Sequence, residues 1–356
     1  MPIFRFDKAL RVTRGAKKFL NIEGGVSRGS PPAVDEQNVN RAENRKRRRQ
    51  RITGLKNELQ VKRRDLRQIT SDIRTARRGA DEGEQLEHVK KAKRKQQEIF
   101  QLQIGLRAVK EGAEDTLATG ALPDFAVIGA AKCGTTFFYH LLTKHPHVEP
   151  AATKEIHYFD MLFDEGIEWY RRCFPTPRLK EGRKTITGEG SPSYLFDPRA
   201  PERMAGVVPH ARLIALLRNP VDRALSAYYH RLRNGNESQT FEESIRTSLE
   251  EDPHSKHMSR NIYVDHLQHW SGFFSDEQML VLKSESFFER PRETLKVVFE
   301  FLDLPDWEPG ASDLGDRLNK GGYEQKMDPA TRQRLQEFFE PHNQRLYDFL
   351  GVDFGW

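Results

Sequence analysis

The chain holds 356 residues, 37% hydrophobic and 31% charged, with a formal net charge of +6. That length carries one domain of ordinary core size plus additional chain, and no apolar run approaches the ~18 residues needed to span a bilayer. With no compact apolar stretch at the N-terminus and only Cys133 and Cys173 as thiols, neither a membrane-spanning or secreted chain nor a disulfide framework is expected; the cysteines read as reduced thiols of a cytoplasmic protein.

Charge divides the chain. Residues 1–40 carry 7 Lys/Arg against 4 Asp/Glu, residues 41–110 carry 22 against 9, and residues 111–356 carry 29 against 39. A basic N-terminal region is therefore joined to a mildly acidic C-terminal domain. In residues 1–20, Phe4, Phe6, Leu10, Phe19 and Leu20 alternate with Arg5, Lys8, Arg11, Arg14, Lys17 and Lys18, the composition of a basic helix lying on a membrane surface. Gly24-Gly25 and Pro31-Pro32 mark the following stretch as a linker, so 1–40 reads as a basic segment and linker.

Residues 41–115 read as a basic helical region. The run Arg45–Arg49 is either a solvated helix end or a contact for a polyanion: nucleic acid, anionic lipid or substrate. Apolar residues then recur at Ile52, Leu55, Leu59, Leu66, Ile69, Ile73, Ala76 and Ala80, a heptad seam with Lys62 at its one missed position. A turn is expected at 78–83, followed by a second seam at Ile99, Leu102, Leu106, Val109 and Ala113. Two readings stand open: an antiparallel helical hairpin, or a coiled coil through which chains form a homo-oligomer.

The domain at 116–356 opens with strand-like Phe125–Ile128, then Gly129-Ala130-Ala131-Lys132-Cys133-Gly134-Thr135-Thr136, then a helix from Phe137 ending near Pro146. A strand, a small-residue loop with Lys and Thr-Thr, and a helix make an anion site at a helix N-terminus. The order is not that of a Walker A loop, because the lysine precedes the glycine and no hydroxyl follows it. Leu213–Leu217 reads as a buried strand ending at Arg218, and Asn219-Pro220 as the start of a helix carrying Ser226. The histidines match no zinc spacing, and no metal is expected.

Four segments in order resemble the PAPS-dependent (3′-phosphoadenosine 5′-phosphosulfate) sulfotransferases, closest to their heparan-sulfate-type branch and its bacterial relatives. They are Lys132–Thr136, Thr153–Asp160 with Gly166–Tyr170, Leu216–Tyr228, and Asn319–Tyr323. The resemblance covers about 118–356. It implies an α/β fold, a P-loop-like parallel sheet flanked by helices, with the N-terminal hairpin or coiled coil projecting from it. It implies transfer of a sulfuryl group from PAPS, as co-substrate, to an acceptor hydroxyl on a carbohydrate or glycoconjugate. Glu155 is implied as the base, with Lys132 at the leaving oxygen. His157 faces the same side as Glu155 if the segment is extended, either as its catalytic partner or as a structural residue, and partial desolvation would strengthen Glu155 as a base. Asp160 would orient the segment.

Nucleotide contacts are implied for Lys132, Cys133, Gly134, Thr135 and Thr136 at the 5′-phosphate, for Arg218 and Ser226 at the 3′-phosphate, and for Lys320, Gly321 and Gly322 in a closing loop. Arg223 reads as a surface residue. Heparan-type enzymes carry lysine where Gly190 stands, so a different acceptor is implied. The resemblance gives no reason to expect a specific nucleic acid partner, and the chain is placed in the cytoplasm, with a peripheral membrane surface as a candidate contact. The alternatives are a P-loop-like kinase, disfavoured by the loop order, and a non-catalytic anion- or nucleic-acid-binding protein using the basic helices.

Overall fold

The computed structural model describes residues 34–76, 120–252, 255–315 and 327–356, together with Lys91, Lys95, Glu98, Ile99, Leu102 and Leu106. Helix α1 spans Val34–Ala76. It already covers residues 34–40, which the sequence assigned to the linker.

Leu59, Ile99 and Leu106 are buried together, with Ile52, Leu55, Leu66 and Leu102 packed around them. Lys62, at the position the apolar seam skips, sets its Nζ 2.7 Å from Glu98 Oε2, and Lys95 Nζ lies 3.4 Å from Asp65 Oδ2. These contacts join the two apolar stretches within one chain, as in a helical hairpin. Residues 1–33, the expected turn at 78–83, and Ala80, Val109 and Ala113 lie outside the described residues.

The C-terminal part is built on five parallel strands: β1 (Phe125–Gly129), β2 (Val148–Pro150), β3 (Ile186–Gly190), β4 (Arg212–Leu217) and β5 (Met279–Lys283), in the order β2-β3-β1-β4-β5. Every residue of β1 is buried, and so is β4 from Leu213 to Leu217. Central parallel strands are covered on both faces, which is why these read as continuous apolar runs rather than alternations.

After β1 the chain crosses to β2 and β3 on one side, and after β4 to β5 on the other. The switch of direction therefore falls between β1 and β4, and such a switch opens a crevice at the carboxyl ends of the strands. Two helices start there: α2 (Thr135–Leu142) after β1 and α3 (Pro220–Arg233) after β4. The long C-terminal helix α4 (Pro329–Leu350) packs against α3, with Arg332 Nη2 2.7 Å from Asp222 Oδ1. Both cysteines are free and buried. No helix among the described residues is long and apolar enough to cross a membrane.

Candidate active site

The loop after β1 is held from both sides. Ala130 donates its N–H to the Leu216 carbonyl at 2.8 Å, and Ser284 Oγ donates to the Cys133 carbonyl at 2.8 Å. Lys132 (φ 77°) and Gly134 (φ 83°) both adopt left-handed backbone, which only glycine reaches without strain. A Cβ on Gly134 would stand 2.5 Å from the Phe288 ring. Gly134 is the N-cap of α2 and supplies no side-chain cap, so the helix offers its first-turn N–H groups to an anion. Thr135 and Thr136, read from sequence as loop, are the first residues of that helix. Cys133 is a correction. Its thiol is buried 3.9 Å from the Tyr263 hydroxyl and its N–H donates to the Ala130 carbonyl, so it faces the core rather than a ligand. Burial pushes that thiol up to about 11.

The second wall comes from residues 153–160. These are not extended as expected: Glu155 (φ 64°) and His157 (φ 58°) both take left-handed backbone. The bend still aims both side chains at one place. Glu155 Oε2 lies 3.9 Å from His157 Nε2, and Glu155 Oε1 accepts from Lys154 Nζ. His157 Nδ1 lies 3.0 Å from Asp160 Oδ2 and 3.2 Å from Ser193 Oγ. The Asp160 carboxylate thus holds the imidazole from its Nδ1 side.

The electrostatics reverse one expectation. Hydrogen bonding to His157 outweighs burial and, with Lys154, drives Glu155 down to about 2. Burial alone would depress His157, but Asp160 and Glu155 override it and raise it to about 9. At neutral pH the two form an ion pair rather than a desolvated carboxyl beside a neutral ring.

The third wall is α3. Asn219 Oδ1 accepts from the Val221 N–H at 3.0 Å, with Pro220 at the first helical position. Arg223, Ser226, His230 and Arg233 follow at spacings of three and four, which places them on one helix face. Arg223 is a correction: it is 3% exposed, not a surface residue. Its Nε donates to the Ala131 carbonyl at 3.0 Å and its Nη1 to Asn261 Oδ1 at 2.7 Å, while its guanidinium lies 5.0 Å from the centre of the Phe196 ring. The arginine thus buttresses the phosphate-type loop.

These walls enclose a cleft of about 700 Å3, lined by Lys132, Thr135, Thr136, Glu155, His157 and Ser226 among the expected residues. Ser193, Arg223, His230, Arg231, Arg233, His257 and Arg260 also line it. The sequence reading missed this cationic wall. The stripe through Ser226 on α3 is the signal that could have found His230 and Arg233. Arg218, half-buried at the end of β4, is not part of the lining, but its charge reaches Lys132. Burial first, then Arg233, Arg223 and Arg218, lower the lysine's pKa. Lys320, Gly321 and Gly322 lie outside the described residues. Gly190 is buried; its carbonyl accepts from the Glu155 N–H at 3.0 Å, and a Cβ there would stand 3.3 Å from the Tyr139 ring.

The family model described as "Sulfotransferase domain" matches residues 122–314, the span that holds all three walls. The chain belongs to the sulfotransferase domain family. This sulfotransferase is 33% identical over 260 residues to the human (Homo sapiens) heparan sulfate glucosamine 3-O-sulfotransferase 3B1, an alignment covering 66% of this chain and 65% of that one. It is 27% identical over 319 residues to the membrane-associated sulfotransferase kil1 of Dictyostelium discoideum, covering 66% of each. The crystal structure of a sulfotransferase from Alicyclobacillus acidocaldarius superposes with a TM-score of 0.55 at 30% identity, over 65% of this chain and 97% of that one. The chain thus spans about two thirds of the length of the human relative.

Proposed function

We propose that this sulfotransferase moves a sulfuryl group from PAPS to a hydroxyl of a carbohydrate or glycoconjugate. The observation that carries the reading is the cleft itself. It sets an uncapped helix N-terminus with Lys132 opposite a carboxylate–imidazolium pair, at the sheet's switch point. The human relative's name supports a saccharide acceptor.

Bound PAPS would supply an activated sulfonate and a phosphate leaving group. Thr135 and Thr136 on α2 would hold the 5′-phosphate, with Lys132 beside the oxygen on which charge develops. By the family resemblance, Ser226 in the cleft and Arg218, outside its lining at the end of β4, would take the 3′-phosphate, a task suited to a guanidinium's planar fork. Glu155 would accept the acceptor's hydroxyl proton as its oxygen bonds to sulfur and the sulfur–oxygen bond to the nucleotide breaks. His157, charged and oriented by Asp160, would hold Glu155 in place and face the transferring group with positive charge.

The test is transfer of label from sulfur-labelled PAPS to a panel of polysaccharides and simple glycosides, with release of adenosine 3′,5′-bisphosphate. Transfer of phosphate from ATP instead, dependent on a divalent ion, would replace this reading with that of a kinase.

A further inference from the structure

Glu189 stands at the end of β3, 0% exposed, behind the cleft rather than in its lining. Among the described residues its side-chain partners are hydroxyls. Tyr170 donates to Oε1 at 2.5 Å, Ser191 to Oε2 at 2.6 Å, and Tyr194 to both oxygens at 3.1 and 3.2 Å. Burial pushes the Glu189 carboxyl's pKa up, and the Ser191, Tyr170 and Tyr194 hydroxyls pull it back by donating to its two oxygens. Burying a charge among neutral groups is unfavourable, and a core position with no further role would be served by an apolar side chain.

What those hydroxyls do next makes the position informative. Having given their protons to Glu189, Ser191 and Tyr194 present bare oxygens. Ser191 Oγ accepts the His157 N–H at 3.2 Å, and the Tyr194 oxygen accepts the Tyr158 N–H at 2.8 Å. Tyr170, the third donor, stacks on the Tyr158 ring at 4.2 Å between centroids, 10° from parallel. The Tyr194 oxygen also accepts the Phe159 N–H at 3.4 Å, so all three arms end on residues 157–159. That stretch contains His157 with its left-handed backbone, two residues after the equally left-handed Glu155. Non-glycine residues persist in that region only where their surroundings over-determine it.

We propose that Glu189 is a positioning residue for the catalytic pair. Its carboxylate orients the Ser191 and Tyr194 hydroxyls, their oxygens hold the His157 and Tyr158 amides, and the bend so fixed turns Glu155 and His157 into the cleft. The kinetic part rests on the sulfuryl-transfer reading; the structural part does not. The charged groups that face His157 are Glu155 and Asp160 from its own segment and Glu189 from β3.

The experiment uses the full chain with Glu189→Gln, which keeps shape and loses charge, and with Ser191→Ala, Tyr194→Phe and their double variant, which keep Glu189 and cut its arms. The His157 ring protons are followed by NMR against pH, and kcat and the KM for PAPS are measured alongside. In the variants the His157 midpoint, about 9 in the parent, should fall toward the ordinary value of about 6.5. The kcat should drop roughly 10- to 100-fold, as for a small misplacement of reacting groups, with the KM for PAPS held within about twofold because the nucleotide loop hangs on other elements. A folded double variant with an unshifted His157 midpoint and parental kcat overturns the proposal. If Glu189→Gln does not fold, the arm-cutting variants decide. If the parent transfers no sulfuryl group, the activity reading fails, while the His157 titration still decides whether Glu189 positions the segment.

Discussion

Glu155 Oε2 stands 3.9 Å from His157 Nε2, and each residue holds the other in its charged form. Glu155 is lowered to about 2 and His157 raised to about 9, so the pair is a zwitterion across the whole neutral range. The carboxylate is ready to take a proton, though it is a weaker base than a desolvated one. The imidazolium contributes charge rather than basicity.

The pH dependence follows with a definite sign. His157 has a folded pKa above its unfolded value, so its stabilisation is complete below about 6.5 and is lost as pH rises through about 9. Glu155 is depressed, so its contribution is present above about 4.5 and is lost as pH falls through about 2. The kcat/KM profile should therefore stay flat through neutrality and fall on the alkaline side near pH 9. In His157→Asn that limb should vanish. An alkaline limb unchanged in His157→Asn would assign it to another group, with Lys132 next to test.

Glu155→Gln should reduce turnover by roughly 10²- to 10⁴-fold, the range of a general base, while leaving nucleotide binding nearly intact. Rate assays and calorimetric titration with adenosine 3′,5′-bisphosphate check the two halves. Retention of more than about a tenth of the activity would move the base elsewhere in the cleft.

Adenosine 3′,5′-bisphosphate should raise the melting temperature far more than 5′-AMP, since a ligand that binds the native state stabilises it by mass action. Arg218→Ala and Ser226→Ala should each narrow the gap between the two nucleotides. Equal shifts in the parent protein would remove the 3′-phosphate site from this end of the cleft.

Gly134→Ala should destabilise the fold by at least about 1 kcal/mol, because a Cβ is strained at positive φ. Here the added atom would also meet the Phe288 ring at 2.5 Å. Thermal unfolding should show the loss, and Phe288→Leu in the same chain should recover the steric part but not the backbone part. Full recovery would mean the ring alone requires glycine there.

Removal of residues 1–115 should leave a folded, nucleotide-binding domain. Among the described residues the apolar cluster around Leu59, Ile99 and Leu106 is separate from the sheet's core. If the basic region recruits an anionic acceptor or membrane surface, truncation should raise the acceptor KM and remove its salt sensitivity. If it serves assembly, light scattering should show a smaller mass. An insoluble product would show that the helices cover the core.

Sequence by itself determined what is local or periodic. Short apolar runs at Phe125–Ile128 and Leu213–Leu217, bounded by turn signals, read as strands buried on both faces, and Asn219-Pro220 reads as a helix start. Lys132, Thr135, Thr136, Glu155, His157 and Ser226 were legible because the loop chemistry and the motif order carry them. Arg223 and Ser193 acquire their places in the site only in three dimensions. An arginine on a helix has the same propensity whether it faces water or the Ala131 carbonyl, and a carboxylate's pKa depends on which charges the chain folds beside it. The left-handed backbone at Glu155 and His157 is the sharpest case. Neither residue favours that conformation locally, so contacts from outside the segment hold it, among them the Glu155 N–H on the Gly190 carbonyl and the His157 N–H on Ser191 Oγ.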